Sequence, residues 1–90
     1  MEYSNGNTAQ NAREMSHRNR PKPDLREIGL RIRGLRGDIR QEELASQLGV
    51  SQGQLSKVER GRVPPTLEIL LGVANKFGKS LDWIVRGDGN

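Results

Sequence analysis

Apolar residues recur every three or four positions from Leu25 onwards, and glycines interrupt this pattern at short intervals. Such spacing places apolar side chains on one face of a helix, so the pattern predicts a series of short amphipathic helices. Asp24 and Glu27 form a capping-box variant at the start of the first helix, and Gly37 ends it. The inward positions of this helix are Leu25, Ile28, Ile32 and Leu35.

The second and third predicted helices are separated by a short turn at residues 49–51. Gly49 ends the second helix, because glycine readily adopts the backbone conformation of a helix C-terminus. Ser51 and Gln54 form another capping-box pair, which opens a third helix over about residues 51–60. The inward positions of these two helices are Leu44, Ala45, Leu48, Leu55 and Val58.

Two further helices complete the pattern. Pro64 and Pro65 exclude helix at their own positions, because proline lacks a backbone donor, and the fourth helix begins at about Thr66. Ser80 caps a last short helix, which ends at Gly87. The fourth helix is predicted to turn five residues inward: Leu67, Leu70, Leu71, Ala74 and Phe77. We expect Phe77 and Trp83 to pack in or beside the core.

The chain of 90 residues therefore divides into two parts. Five predicted helices and no convincing strand make residues 24–88 an all-α domain. Residues 1–23 are rich in Asn, Gln, Ser, Arg and Pro, and they hold too few apolar side chains to offset the entropy of ordering. We expect this tail to be disordered. Its cations suit either a solvated tail or a basic arm that follows a nucleic-acid groove.

Composition narrows the possible functions. The formal net charge of +4 and a pI near 10.1 favour an anionic partner, such as nucleic acid or an acidic membrane surface. The absence of cysteine excludes disulfides and cysteine nucleophiles, and His17 has no second ligand nearby, so we expect no metal and no cofactor. The longest apolar run, Ile69-Leu70-Leu71, is far shorter than the ~20 residues of a membrane span. A cytoplasmic protein without a small-molecule substrate is expected.

The turn between the second and third helices has a diagnostic pattern. Ala45 is followed four residues later by Gly49, and aliphatic residues follow at Val50, Leu55 and Val58. The small side chain of Ala45 allows the third helix to approach, and Gly49 accepts a positive φ. Because all these residues occur at the spacing typical of a helix-turn-helix, the sequence predicts that motif here.

The segment QEELASQLGVSQGQLSKVERG (residues 41–61), with LDWIVRGDG at residues 81–89, resembles the phage repressor and Cro-type family of helix-turn-helix regulators. That family is also named after a xenobiotic-response-element regulator (XRE). The resemblance covers about residues 25–88. It implies a five-helix repressor-like domain, no enzymatic activity and a bacterial or phage-encoded protein at the nucleoid. It also implies sequence-specific binding to double-stranded DNA, as a homodimer on an inverted-repeat operator.

The outer face of the third helix carries the candidate base contacts. They are Gln52, Gly53, Gln54, Ser56 and Lys57. Glutamine can form two hydrogen bonds with adenine, and the resemblance implies a base contact at Gln52, which is our first choice. Gln54 ranks lower because of its capping role, and Lys57 suits guanine. Gly53 departs from the family, where a contacting side chain is frequent, so either the helix approaches the groove more closely or readout there is lost.

The candidate phosphate contacts are Arg40, Gln41, Arg60 and Arg62. Gln41 begins the second helix, where its side chain and the helix N-terminus can meet a phosphate, as the resemblance also implies. Arg40 stands where relatives often have a Ser or Thr cap, which leaves Asp38 as the alternative cap. The resemblance further implies an ion pair between Glu59 and an arginine of the first helix, for which Arg36 is the candidate.

Oligomerisation and two other functions complete the hypotheses. The last helix has three consecutive apolar residues, Trp83, Ile84 and Val85, which cannot all face inward. We therefore expect one of them to be exposed and the chain to form a homodimer through this helix. An antitoxin-type autoregulator would still bind its promoter, and a neighbouring toxin gene would point to it. A protein-interaction adaptor would use the same fold without DNA. Loss of the amides and cations from the third helix would favour the adaptor, but these residues are present.

Overall fold

The computed structural model describes residues 22–88. Within this range it contains five helices and no strand: α1 (Leu25–Arg36), α2 (Gln41–Leu48), α3 (Gln52–Glu59), α4 (Leu67–Phe77) and α5 (Leu81–Arg86). The prediction of an all-α, five-helix domain is confirmed. The predicted disordered tail lies outside the described residues, apart from its last two positions.

Four of the five helices begin at a side-chain cap. The capping oxygens are those of Asp24, Ser51, Thr66 and Ser80, each of which accepts a hydrogen bond from a backbone N–H of the first turn. The reciprocal bonds that would complete a capping box, from Glu27 and Gln54, are absent within residues 22–88. At α2, Arg40 occupies the cap position without a side-chain hydrogen bond, and Asp38 does not replace it. The backbone N–H groups at the N-terminus of α2 are therefore not occupied by a side-chain cap and remain available as donors.

The core lies between the five helices: α1 packs against α3 and α5, α2 packs against α3 and α4, and α4 also packs against α5. Nearly all of its fully buried side chains are large aliphatic ones: Ile28, Ile32, Leu44, Ala45, Leu55, Val58, Ile69, Val73 and Ile84. The predicted inner faces of α1, α2 and α3 are confirmed. Burial of each large aliphatic side chain contributes about 1.5–3 kcal/mol, which makes this cluster the main support of the fold.

The inward face predicted for α4 is partly wrong. Leu67 and Leu71 are 66% and 51% exposed, whereas Ile69 and Val73 are fully buried. Apolar residues cover a wide sector of this helix, so their spacing did not specify which part of that sector faces inward. Contacts with α2 and α5 decide instead which side of α4 is covered.

The last helix also differs from expectation. Ile84 is fully buried, and both Trp83 and Val85 pack against the core, so none of the three consecutive apolar residues is fully exposed. The exposed apolar side chain of α5 is Leu81, at 41%. The ammonium group of Lys79 lies 4.6 Å from the centre of the Trp83 ring, a cation–π distance. The expectation that Trp83 packs beside the core is confirmed.

The first helix holds the third and the last together. Gly29 lies so close to the end of α3 that a Cβ there would stand 2.5 Å from the Val58 carbonyl oxygen and would also contact that of Glu59. On another side of α1, Arg31 Nη1 donates to the Ile84 carbonyl at 3.0 Å and so satisfies a C-terminal acceptor of α5. These contacts fix the position of α3 relative to the rest of the domain.

Candidate nucleic-acid interface

The helix-turn-helix consists of α2, a tight turn and α3. Gly49 adopts a left-handed conformation with φ of 75°, and the Val50 N–H donates to the Ala45 carbonyl at 3.0 Å. This geometry ends α2 and allows a new helix to start three residues later. Leu55 and Val58 hold the inner side of α3 in the core, so its other side is left at the surface.

The five candidate base contacts differ in exposure. Gln52, Gly53 and Lys57 are exposed, whereas Gln54 and Ser56 are half-buried. The Lys57 side chain makes no hydrogen bond or ion pair within residues 22–88. The outer face of α3 therefore offers an amide, an uncovered stretch of backbone and an unpaired ammonium group.

Gly53 is not required by packing within the domain. A Cβ built at this position would meet nothing within 4 Å, and its φ is not in the left-handed region. Alanine would therefore fit the fold, and it would favour helix by about 1 kcal/mol. The glycine has no intramolecular reason that this structure reveals, in contrast to Gly29.

The candidate phosphate contacts lie at the ends of α2 and α3. Arg40 and Arg62 are exposed, and their side chains make no hydrogen bond or ion pair within the described range. Arg60 Nε lies 3.4 Å from the Ser56 carbonyl oxygen, so this guanidinium partly covers the C-terminus of its own helix. Gln41 is half-buried at the first position of α2.

The predicted ion pair between Arg36 and Glu59 is confirmed. Two parallel hydrogen bonds join them, Nε to Oε2 at 2.8 Å and Nη2 to Oε1 at 2.9 Å, and the side chains are only 16% and 3% exposed. The hydrogen bond with Glu59 raises the pKa of Arg36, burial opposes this, and the negative charge of Glu59 adds to the increase. Arg36 Nη1 also donates to the Ile39 carbonyl at 2.9 Å, which ties in the connection between α1 and α2.

Sequence reasoning missed two hydrogen bonds of Gln41. Its Nε2 donates to Glu59 Oε1 at 2.9 Å, and its Oε1 accepts from Gln52 Nε2 at 3.4 Å. The first candidate base contact is thus connected, through Gln41, to the buried ion pair. The signal for this was available in part, because two predicted site residues flank one tight turn, but spacing alone does not orient an amide.

Other kinds of site receive no support from the described residues. Within residues 22–88, no group of three or more His, Cys, Asp or Glu side chains could hold a metal ion. No helix in the same range is long and apolar enough to cross a membrane.

Sequence and structure comparisons agree on the class of protein. The model of a helix-turn-helix family, HTH_3, matches residues 31–84. No curated protein matches the sequence.

Several solved structures are similar along most of the domain. The P22 c2 repressor in complex with a synthetic operator is 36% identical, with a TM-score of 0.63, over 68% of this chain and 96% of that one. The restriction-modification controller protein C.AhdI from Aeromonas hydrophila is 30% identical, with a TM-score of 0.59, over 68% and 91%. The clp gene regulator ClgR from Corynebacterium glutamicum is 39% identical, with a TM-score of 0.59, over 71% of each chain.

The fold, the exposed face of α3 and these matches define a DNA-binding transcriptional regulator rather than a member of an enzyme family. The chain belongs to the phage repressor and Cro-type, XRE-like family of helix-turn-helix proteins.

Proposed function

We propose that this protein is a repressor that reads a specific DNA sequence by placing α3 in the major groove. The observation that carries the proposal is the exposed face formed by Gln52, Gly53 and Lys57 on a helix whose other face is buried. A helix fits the major groove, and residues near its N-terminus reach base edges. The similar P22 c2 repressor has been solved in complex with a synthetic operator, which supports DNA binding by this chain.

Each candidate contact has a role in this proposal. Gln52 pairs with adenine, Lys57 contacts guanine, and the half-buried Gln54 and Ser56 contribute shorter-range contacts to bases or phosphates. Gly53 allows the start of α3 to approach the floor of the groove, because nothing projects from its Cα.

The phosphate contacts fix the register of the protein on DNA. Arg40 and the N-terminus of α2 face one phosphate region together with Gln41, and Arg60 and Arg62 contact the backbone beyond the end of α3. Such contacts add affinity without base preference. The guanidinium groups of Arg40 and Arg62 have no hydrogen bond or ion pair within residues 22–88, which supports this assignment.

The operator is an inverted repeat bound by a homodimer. A symmetric dimer places two copies of α3 in successive major grooves, and the half-site spacing then follows from the dimer geometry. The last helix remains our proposed contact between copies, with Leu81 now its exposed apolar residue. The protein acts in the cytoplasm, at the nucleoid of a bacterium.

A selection experiment tests the proposal. The purified chain is incubated with random-sequence duplexes at near-physiological salt, and the bound fraction is recovered over several rounds and sequenced. We expect an enriched inverted repeat, and repetition with Gln52→Ala should relax one base position in each half-site while the others stay readable.

Two results would contradict the proposal. No enrichment over the starting pool would favour a protein-interaction adaptor. Enrichment of a single half-site, with a monomer in sedimentation of the complex, would exclude the homodimer. If the operator controls a toxin gene and the chain also inhibits its product, the protein is an antitoxin-type autoregulator.

A further inference from the structure

The first helix lies between the helix proposed to read DNA and the helix proposed to join two copies of the chain. It packs against both α3 and α5, whereas α3 and α5 do not pack closely against each other. Gly29 contacts the end of α3, and Arg31 contacts the end of α5. Two residues are about 200° apart around a helix, so α3 and α5 lie on different sides of α1. The shortest connection between them by helix packing therefore passes through α1.

The Arg31 side chain is held against the end of α5 from several sides. Its Nη1 donates to the Ile84 carbonyl at 3.0 Å, and a Cβ at Gly87 would stand 2.7 Å from its Nη2. Glu27 Oε1 lies 3.9 Å from the same Nη2, and only 20% of the Arg31 side chain is exposed. A bond from a guanidinium to a carbonyl at a helix C-terminus is charge-assisted and favoured by the helix dipole. We call Arg31, Ile84 and Gly87 together the α1–α5 contact.

We propose that Arg31 fixes the spacing between the two half-sites that a dimer of this protein accepts. The inference rests on the proposed function, in which a homodimer joined through α5 places two copies of α3 on an inverted repeat. It goes further, because it assigns a positioning role to a residue outside both the proposed DNA contacts and the proposed contact between copies. Arg31 acts on the spacing through the α1–α5 contact.

The shortness of α5 explains why its direction depends on such a restraint. Its six residues, Leu81–Arg86, form less than two turns, and so short a helix has little stability of its own. The connection at residues 78–80 restrains its start, and the bond to the Ile84 carbonyl restrains its end. With both ends held, the proposed contact at Leu81 has a defined direction relative to α1, and thus relative to α3.

A dimer is sensitive to small changes in this direction, because its symmetry applies each tilt twice. Insertion of one base pair between two half-sites moves them about 3.4 Å further apart and rotates them by about 34° around the DNA. A domain with a fixed α1–α5 contact cannot follow this change without losing contacts in one half-site. If the contact is lost and α5 can tilt, the accepted spacing should broaden, while binding to a single half-site should not change.

The test compares operators that differ only in spacing. Duplexes carry the selected inverted repeat with its half-sites at the selected spacing, or one base pair closer or further apart. We expect the unmodified protein to prefer the selected spacing by about tenfold or more. Arg31→Met removes the donor, and the methyl group of Gly87→Ala displaces the guanidinium, so each should reduce this preference to about threefold or less. Their affinity for a duplex with one half-site should stay within about twofold of the original.

Each variant has a matched control. Arg33→Met removes the same charge from the exposed side of the same helix, where Arg33 makes no side-chain hydrogen bond or ion pair within residues 22–88. Gly78→Ala imposes the same left-handed strain as Gly87→Ala, because the two glycines have φ of 68° and 82°, but its Cβ would meet nothing within 4 Å. Both controls should keep the original spacing preference. Circular dichroism establishes that each variant is folded, and Gly87→Ala decides the matter if Arg31→Met is not.

The outcomes separate this inference from the function on which it rests. If Arg31→Met keeps the original spacing preference, Arg31 has no role in spacing and the inference is wrong, although the proposed function stands. The inference is equally wrong if this variant sediments as a monomer or loses affinity for a single half-site, because Arg31 then maintains the dimer or α3 and not the spacing. If the unmodified protein enriches no inverted repeat, the proposed homodimer fails, and the inference fails with it.

Discussion

The two ends of α3 are held in different ways. At the C-terminal end, Glu59 is buried and doubly bonded to Arg36, and the backbone lies directly against Gly29. At the N-terminal end, Gln52 and Gly53 are exposed, and a 3.4 Å hydrogen bond to Gln41 is the contact that restrains the Gln52 side chain.

This difference indicates that the two ends of this eight-residue helix have different roles. A rigidly fixed end sets where the helix lies, while the open end keeps its polar groups available for a partner. Changes at the C-terminal end should therefore reduce stability, and changes at the N-terminal end should alter DNA binding without reducing stability. The following substitutions test that separation.

The largest expected effect is the loss of stability in Arg36→Met. It leaves the Glu59 carboxylate buried without its partner, which typically costs about 3–5 kcal/mol of the free energy of unfolding. Chemical denaturation measures this, with Arg33→Met as the control, because Arg33 is exposed on the same helix and makes no ion pair within residues 22–88. Similar losses in both variants would contradict a special role for the pair.

The pH dependence of this contribution follows from the raised pKa of Arg36. A cation whose pKa is higher in the folded state stabilises the fold fully at every pH below its unfolded pKa, and the contribution is lost only as pH rises through the folded value. The contribution from Arg36 should therefore persist until strongly alkaline pH.

Gly29→Ala should destabilise the domain by about 1–3 kcal/mol, because the added methyl group meets backbone carbonyls that cannot rotate away. Gly34→Ala in the same helix is the matched control. A Cβ at Gly34 meets nothing within 4 Å, so that variant should be more stable by about 1 kcal/mol. Opposite signs in urea denaturation are expected, and equal signs would refute the close contact of α1 with α3.

At the open end, Gln52→Ala should weaken binding to the selected operator by about 1–3 kcal/mol and leave the free energy of unfolding within about 0.5 kcal/mol of the original. Fluorescence anisotropy with labelled operator measures the change in binding, and thermal denaturation measures the change in the free energy of unfolding. A large loss of stability with little loss of affinity would reverse the proposed roles of the two ends.

Gly53→Ala sharpens the comparison, because its two effects should have opposite signs. The helix gains up to about 1 kcal/mol of stability, since the site is open and alanine favours helix. If close approach to the groove is the purpose of this glycine, operator binding should weaken at the same time. Unchanged or tighter binding would show that Gly53 merely lacks a contact that other family members make.

The smallest effect is expected from Arg40→Gln. Removal of one phosphate contact should weaken binding to all sequences alike and reduce the slope of log affinity against log salt by about 0.9. Arg33→Gln, on the exposed side of α1, removes the same charge away from the proposed interface and should leave the slope nearly unchanged. Equal changes in the two variants would indicate only a general effect of net charge.

Much of the fold could be predicted from residue pattern, because its signals are local. The predicted caps Asp24, Ser51 and Ser80 form their hydrogen bonds, the alternative cap Asp38 does not, and Gly49 adopts the expected left-handed turn. The inner face of α4 could not be placed precisely, because apolar residues cover a wide sector of that helix and tertiary contacts select Ile69 and Val73 over Leu67 and Leu71.

The residues of the candidate site could be predicted from the sequence, but the hydrogen bonds that Gln41 makes with two of them could not. Helical periodicity predicts an outer face at Gly53, Ser56 and Lys57, with Gln52 in the first turn beside it. The pairing of Glu59 with Arg36 follows from the family resemblance. The bonds of Gln41 to both Glu59 and Gln52 depend on how α2 and α3 cross, which no local pattern specifies. The roles of the individual residues on DNA remain predictions.

The bond from Arg31 to the Ile84 carbonyl has a consequence for synthesis of the chain on the ribosome. It joins the first helix to the last across 53 residues, while Gly29 joins α1 to the end of α3. Because translation proceeds from the N-terminus, α1 is the first of the five helices to be made, and one of its two partners, α5, emerges last. The nascent α1 must wait for α5, so this domain completes its folding only when nearly all of the sequence described here has left the exit tunnel.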